Sequence, residues 1–320
     1  TLVGTPPNLS FLRLFSILYP EGPSISFGQW IAFAFPITIV MFLFTLFIIY
    51  KIYKPKEKIE KLDKSFFNDQ YVALGRTSSE ERKVFVLFIA LVLLWVFRSN
   101  INLGFITIPG WSSLFSTPNF ITDGTVSILI AVLLFMIPSS KKKEALLTWE
   151  ITKKIPWNIV FLFGGGFALA KGFVDSGLSN YAGSLLSGAS NFSPTLLIGT
   201  LTGLMSMLTE FTSNTATTEM ILPVISGLAN EIGVNPLLIM IPVTLAASLA
   251  FMLPIATPPN AIAFSTGKLT IAQMIKTGFV INIFAIIVIL FFTITWGTII
   301  FNIDPAVFPE WAQKAVNSGL

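Results

Sequence analysis

The 320-residue chain has no cysteine and no histidine, and only 11% of its residues are charged. Without cysteine there can be no disulfide, thiolate nucleophile or cysteine-bound metal. Without histidine, Ser-His catalysis, imidazole ligation and histidine proton relays are excluded. A soluble domain carries about 25% charged residues, so an ordinary aqueous surface is excluded too. What is present is apolar: hydrophobic residues make up 53% of the chain, 31 of them phenylalanine, and mean hydropathy is +0.79. The net charge of +4 does not point to nucleic acid, because the lysines cluster between apolar runs. The composition predicts an all-α integral membrane protein.

Crossing the hydrocarbon core takes about 20 mostly apolar residues. Phe27–Tyr50, Gly124–Ser140, Ile155–Ala170 and Thr277–Ile303 are candidate spans, as is Val84–Phe97 with Arg82, Lys83 and Arg98 snorkelling at its ends. A further charge-free stretch lies between Glu231 and Lys268. Leu178–Ser187 reads as a short helix near the membrane interface. Pro194–Leu208 and Thr218–Asn230 are each too short to span, so they read as a re-entrant hairpin with its tip at Glu210–Thr217. The alternative is one long span with a polar patch. Basic residues cluster in 51–83, 141–154 and 268–276. The positive-inside rule puts these loops in the cytoplasm and the C-terminus outside, across the cell (inner) membrane. Arg13 and Lys171 are exceptions, because both fall at ends predicted to face outward.

Thr-Pro-Pro-Asn occurs twice, at Thr5–Asn8 and Thr257–Asn260. Proline breaks a helix, and broken helices in a bilayer are tolerated where they line a polar cavity. The predicted topology crosses the two copies in opposite directions. Related text follows each one: Ser26-Phe27-Gly28-Gln29-Trp30-Ile31 and Thr270-Ile271-Ala272-Gln273-Met274-Ile275. This is the pattern of an inverted-topology repeat with a site near the midplane. The expected division is residues 1–54 as the end of the first repeat, 55–81 as a cytoplasmic basic linker and 82–320 as the second repeat. The second repeat divides into scaffold spans (82–172), hairpin (193–232), broken span (233–267) and last span (270–303).

At the second break, the carbonyls of Leu253, Pro254, Ile255 and Ala256 are expected to lose their helical partners and become ligands for a hard monovalent cation. Free N–H groups near Asn260 and Ala261 would favour an anion beside it. The hairpin tip adds the hydroxyls and amide of Thr212, Ser213, Asn214, Thr215, Thr217 and Thr218, one or two of which are expected to cap helix ends. Glu210 reads as a structural acceptor of hydrogen bonds that fix the tip, and Glu219 as a carboxylate favoured early in a helix. Gly164-Gly165-Gly166 lacks the Lys-Ser or Lys-Thr of a phosphate loop and reads as close helix packing.

At these residues the chain resembles the divalent anion/sodium symporter family, also called the sodium:sulfate or sodium:dicarboxylate carriers. The resemblance rests on Thr209–Thr217 with its Ser213-Asn214-Thr215, on Phe251–Ile262, and on Pro156-Trp157 followed by Phe161–Gly166. It implies that Ser213, Asn214, Thr215, Thr257, Pro258, Thr5 and Pro6 contact substrate. It further implies sodium ligands at Thr209, Thr212, Asn214, Ala256 and Gly4, several through backbone carbonyls. Na+ would be the coupling ion, with no organic cofactor and no enzymatic activity, and the protein would be a homodimer working by an elevator motion. The leading expectation is sodium-coupled symport of a C4-dicarboxylate such as succinate, malate or fumarate. Sulfate or citrate symport and sodium-independent dicarboxylate exchange are the alternatives. The family pattern has a second Ser-Asn-Thr upstream of the first Thr-Pro-Pro-Asn, and only one copy occurs here. The chain therefore reads as an N-terminally truncated member that would not transport alone.

Overall fold

In the computed structural model, residues 2–54, 64–140, 144–186, 188 and 192–317 are described. Among these described residues the regular structure is helical apart from two two-residue strands, Ile101–Asn102 and Thr107–Ile108. The chain divides into two compact units: Thr1–Ile48, Ile101–Thr107 and Pro156–Leu320 in one, Ile49–Asn100 and Ile108–Ile155 in the other.

The larger unit is organised by helix breaks. A short 3-10 turn, Leu2–Gly4, leads through Thr5 into α1 (Pro6–Leu18), and α2 (Phe27–Ile52) starts after a loop. After the second unit come α6 (Trp157–Asp175) and α7 (Leu178–Leu185). Two helices joined by a short tip follow, α8 (Pro194–Leu208) and α9 (Asn214–Glu231). Next are α10 (Pro236–Ala246), an unwound stretch, and α11 (Pro258–Ser265). Then comes α12 (Ile271–Phe292), which passes through a π-helical turn, Thr293–Gly297, into α13 (Thr298–Ile300), and α14 (Glu310–Asn317) ends the unit. In the smaller unit lie α3 (Lys64–Ala73), α4 (Ser79–Val96) and α5 (Asp123–Met136). Among the described residues three stretches are long and apolar enough to cross a membrane: Phe27–Ile52, Trp157–Asp175 and Ile271–Ile300. Three shorter apolar helices are α5, α8 and α10.

Helix α10 is the centre of the larger unit. It is apolar on every side, and all but one of its residues are buried, the condition of a helix enclosed by others. Its neighbours are α1, α8, α9 and α12. Close approach elsewhere depends on glycine. A β-carbon on Gly183 in α7 would lie 2.5 Å from the backbone of Gly227 in α9, and one on Gly227 would lie 2.0 Å from the Ser179 carbonyl oxygen. Small residues at both contact points let the two backbones touch. In the triple glycine only Gly166 packs closely; Gly164 and Gly165 have open space where a side chain would be.

The smaller unit departs from expectation at two places. Arg98 does not reach out to water: its Nε donates to Asp123 at 2.5 Å and its Nη1 to the Ile121 carbonyl at 2.8 Å. A carboxylate within reach satisfies the guanidinium better than snorkelling does. Residues 64–73 of the stretch read as a linker form α3, while 55–63 lie outside the described residues.

Candidate functional site

Two breaks and one tip build the site. Both Thr-Pro-Pro-Asn copies have the same local geometry. Thr5 (φ −147°, ψ 138°) and Thr257 (φ −146°, ψ 151°) are extended N-cap residues, followed in each case by prolines at the first two helical positions. An N-cap side chain normally accepts from the N–H of the second or third helical residue. Here the second is proline and has no N–H, and neither threonine makes a side-chain cap bond. The motif thus starts a helix while leaving its N-cap hydroxyl uncommitted to the cap. The related text downstream is also one device used twice. Ser26 and Gln29 exchange backbone-to-side-chain bonds of 3.0 and 3.2 Å, and Thr270 and Gln273 exchange bonds of 2.9 and 3.2 Å. Both pairs are reciprocal capping boxes.

The unwound stretch after α10 is held by a buried carboxylate. Glu210 is fully buried and accepts from the N–H groups of Phe251 (2.9 Å), Met252 (3.0 Å) and Leu253 (3.0 Å), and from Asn282 Nδ2 (3.1 Å). Four donors supply what water would otherwise give a carboxylate. Glu210 therefore fixes the break beneath the tip, where the sequence suggested the tip itself. Gly278 on α12 makes room for this stretch: a β-carbon there would stand 2.5 Å from the Phe251 carbonyl oxygen. Asn260 closes the other side, donating from Nδ2 to the carbonyls of Ala250 (2.8 Å) and Leu253 (2.9 Å).

Two expectations about free backbone groups change as a result. The Leu253 carbonyl is not bare, since it accepts from Ala256 N–H (3.2 Å) as well as from Asn260. Ala261 N–H is not free for an anion, because it bonds the Thr257 carbonyl at 3.1 Å. With Thr257 as the N-cap, this is the ordinary first i→i−4 bond of α11, and the first N–H after the two prolines belongs to Asn260. The N-terminus of α9 is different: its first N–H groups, at Asn214 and Thr215, belong to the turn that has no intrahelical partner. Those groups suit an anion.

At the tip, the hydroxyls divide between local bonds and the cleft. Thr212 donates to the Leu208 carbonyl (2.7 Å) and shares a 2.6 Å hydrogen bond with Thr217, while Thr218 donates to the Asn214 carbonyl (2.7 Å). Ser213, Asn214 and Thr215 line a cleft of about 570 Å³ with the two breaks. Of the residues singled out in sequence, Gly4, Thr5 and Pro6 from the first break also line it, as do Ala256, Thr257 and Pro258 from the second. Thr209 and Thr212 do not. The reading of sequence missed Ser248, which lines the cleft and sits 3.3 Å from the Thr5 hydroxyl, joining the two breaks. Its one signal was a lone hydroxyl in the apolar run Ala246–Ala250.

No lysine, arginine, aspartate or glutamate lines the cleft among the described residues. Beside it lies a group of oxygens. The buried Thr209 hydroxyl is 2.5 Å from Asn214 Oδ1 and 2.7 Å from the Ala247 carbonyl oxygen. One hydroxyl proton cannot serve both acceptors at once, so these neutral oxygens suit an alkali cation. Glu219, also buried, accepts from Ser10 at 2.8 Å and lies against Gly166, away from the cleft.

Residues 1–303 match the family model described as "Sodium:sulfate symporter transmembrane region". The chain is similar to rabbit (Oryctolagus cuniculus) solute carrier family 13 member 2, with 39% identity over 98% of this chain and 58% of that protein. The mouse (Mus musculus) Na(+)/citrate cotransporter is 38% identical over 98% of this chain and 60% of its own length. Mouse solute carrier family 13 member 1 is 38% identical over 99% and 57%. The chain thus spans under two thirds of the length of these curated relatives.

Proposed function

The chain belongs to the sodium:sulfate symporter family, and on that premise we propose that it supplies part of the binding site of a sodium-coupled anion symporter, a carrier and not an enzyme. The observation that carries this reading is the cleft itself: three helix starts converge on it, and no charged residue lines it among the described residues. A dianion there is met by the hydroxyls of Thr5, Ser213, Thr215 and Thr257 and by the N–H groups of α9. Dipoles orient it, yet they bring no full countercharge. Sodium supplies that charge. At an effective dielectric constant of 20, a cation about 4 Å from a carboxylate contributes on the order of 4 kcal/mol, roughly a thousandfold in affinity.

The ion would sit at the Thr209, Asn214 and Ala247 oxygens, with a second near Gly4 and the carbonyl of Ala256 in further support. Thr212 would take part through its backbone, since its hydroxyl is engaged elsewhere. A C4-dicarboxylate such as succinate places one carboxylate at the Ser213–Thr215 tip and the other at the opposed breaks. Citrate is the second reading, favoured by the name of one relative. The matched breaks and capping boxes support an inverted repeat, and with it a re-entrant hairpin, multi-pass membrane insertion and alternating access by an elevator motion in a homodimer.

The test is radiolabelled succinate uptake into proteoliposomes containing the whole carrier of which this chain supplies that part, with sodium or choline outside. Uptake is expected to require sodium and to be competed by succinate and malate more strongly than by sulfate or citrate. Equal uptake in choline removes sodium coupling; dominant competition by citrate or sulfate moves the substrate to that anion.

A further inference from the structure

Arg13 and Lys171, the two cations that broke the positive-inside pattern, lie far apart in sequence but line one cleft of about 500 Å³ between α1 and α6. None of its lining residues belongs to the cleft between the breaks. Its walls are apolar: Ile17 on α1, with Phe167 and Ala168 on α6. The one hydroxyl there, on Ser16, is already used, donating to the Arg13 carbonyl at 2.8 Å. Lys171 pairs with Asp175 one turn further on. Arg13 is exposed and has no ion-pair partner among the described residues.

We propose that this cleft binds an anionic phospholipid, with its phosphate at Arg13 and Lys171 and an acyl chain along Ile17, Phe167 and Ala168. A guanidinium forms paired hydrogen bonds to phosphate oxygens, and the lysine adds a second charge. A small hydrophilic anion would use those charges but leave the apolar walls wet. An acyl chain removes them from water, at about 25 cal/mol per Å² of apolar surface covered. Only an amphiphile uses both features of the cleft. Two cations out of place for the loop-charge rule are in place for such a ligand. The inference concerns a site apart from the proposed transport site and stands independently of it.

The experiment is native mass spectrometry of the detergent-solubilised protein titrated with phosphatidylglycerol, with phosphatidylcholine as the comparator of zero net charge. A basic group near a membrane surface strengthens anionic-lipid binding by about fivefold. Phosphatidylglycerol should therefore be retained in preference to phosphatidylcholine, and about fivefold more weakly by Arg13→Ala. Retention by Arg13→Ala/Lys171→Ala should be between about five- and 25-fold weaker, because Asp175 already offsets part of the lysine's charge. Arg13→Lys, which keeps the charge but not the paired hydrogen bonds, should fall between the parent and Arg13→Ala, and Lys268→Ala, outside the cleft, should change nothing. Both cleft cations are exposed, so the variants should melt like the parent. Equal retention by parent and double variant overturns the proposal. So does displacement of the lipid by millimolar inorganic phosphate, which would mark a simple anion site, or failure of the parent to retain phosphatidylglycerol.

Discussion

Single residues in this protein are constrained by what stands opposite them, and neighbouring residues of one type can differ completely. Gly165 and Gly166 illustrate this. A β-carbon on Gly166 would be 1.9 Å from Glu219 Oε2, whereas one on Gly165 meets nothing within 4 Å. Gly166→Ala should destabilise by about 1–3 kcal/mol, as overpacking of a tight contact does, and Gly165→Ala should stabilise by up to about 1 kcal/mol, because alanine is the better helix former. Thermal melts of the two variants check this, and equal melting temperatures would refute it. Glu210→Gln keeps the side-chain shape but turns one acceptor oxygen into a donor facing the N–H groups of 251–253. Each buried donor left without an acceptor costs about 1–3 kcal/mol. The expected outcome is a lower melting temperature together with lost substrate binding, because the break itself loosens. A variant that melts like the parent would show that the carboxylate is dispensable there.

At the scale of elements, the broken helices were legible in the sequence because proline acts locally. It removes one N–H and fixes one torsion whatever surrounds it, so α1 and α11 begin at Pro6 and Pro258 as the motif requires. A helix–tip–helix unit was legible for a similar reason, since a polar tip needs no distant partner. Its second helix, α9, begins at Asn214 and not at Thr218, because the Ser213 hydroxyl caps it by accepting from Ala216 N–H. The accounting of free groups was not legible. Whether a carbonyl or hydroxyl stays available depends on donors from elsewhere, such as Asn260 reaching back to Leu253 or Thr217 meeting Thr212. The double proline yields a further prediction. Pro259→Ala restores an N–H at the second position of α11, and the Thr257 hydroxyl can then accept it as a normal cap. Capping is worth about 0.5–2 kcal/mol, so the helix should gain stability while the anion KM rises several-fold. An unchanged KM with a raised melting temperature would show that the Thr257 hydroxyl is not needed by the substrate.

For the molecule as a whole, the ends of the larger unit are tied together. Trp311 on α14 makes edge contacts with Phe15 (5.5 Å) and Tyr19 (5.1 Å), and the Tyr19 hydroxyl donates to Asn230 Oδ1 on α9 (2.8 Å) and accepts from Ser226 (2.8 Å). Each aromatic pair is worth about 0.5–1.5 kcal/mol, so Trp311→Ala should cost about 1–3 kcal/mol and lower the melting temperature by several degrees. No change in melting would mean that α14 is not part of the cooperative unit. Nothing in the sequence around Trp311 foretold that contact. Composition, hydropathy and proline placement by themselves determined an all-α membrane protein with two matched breaks and a polar tip, because each of these follows from a few consecutive residues meeting water or lipid. Only the tertiary structure decided which groups face one another. It put Glu210 under the break and Ser248 between the two motifs, and it brought Arg13 to Lys171. Those pairings join residues far apart in the chain, and packing of the intervening helices is the physical agent that sets them.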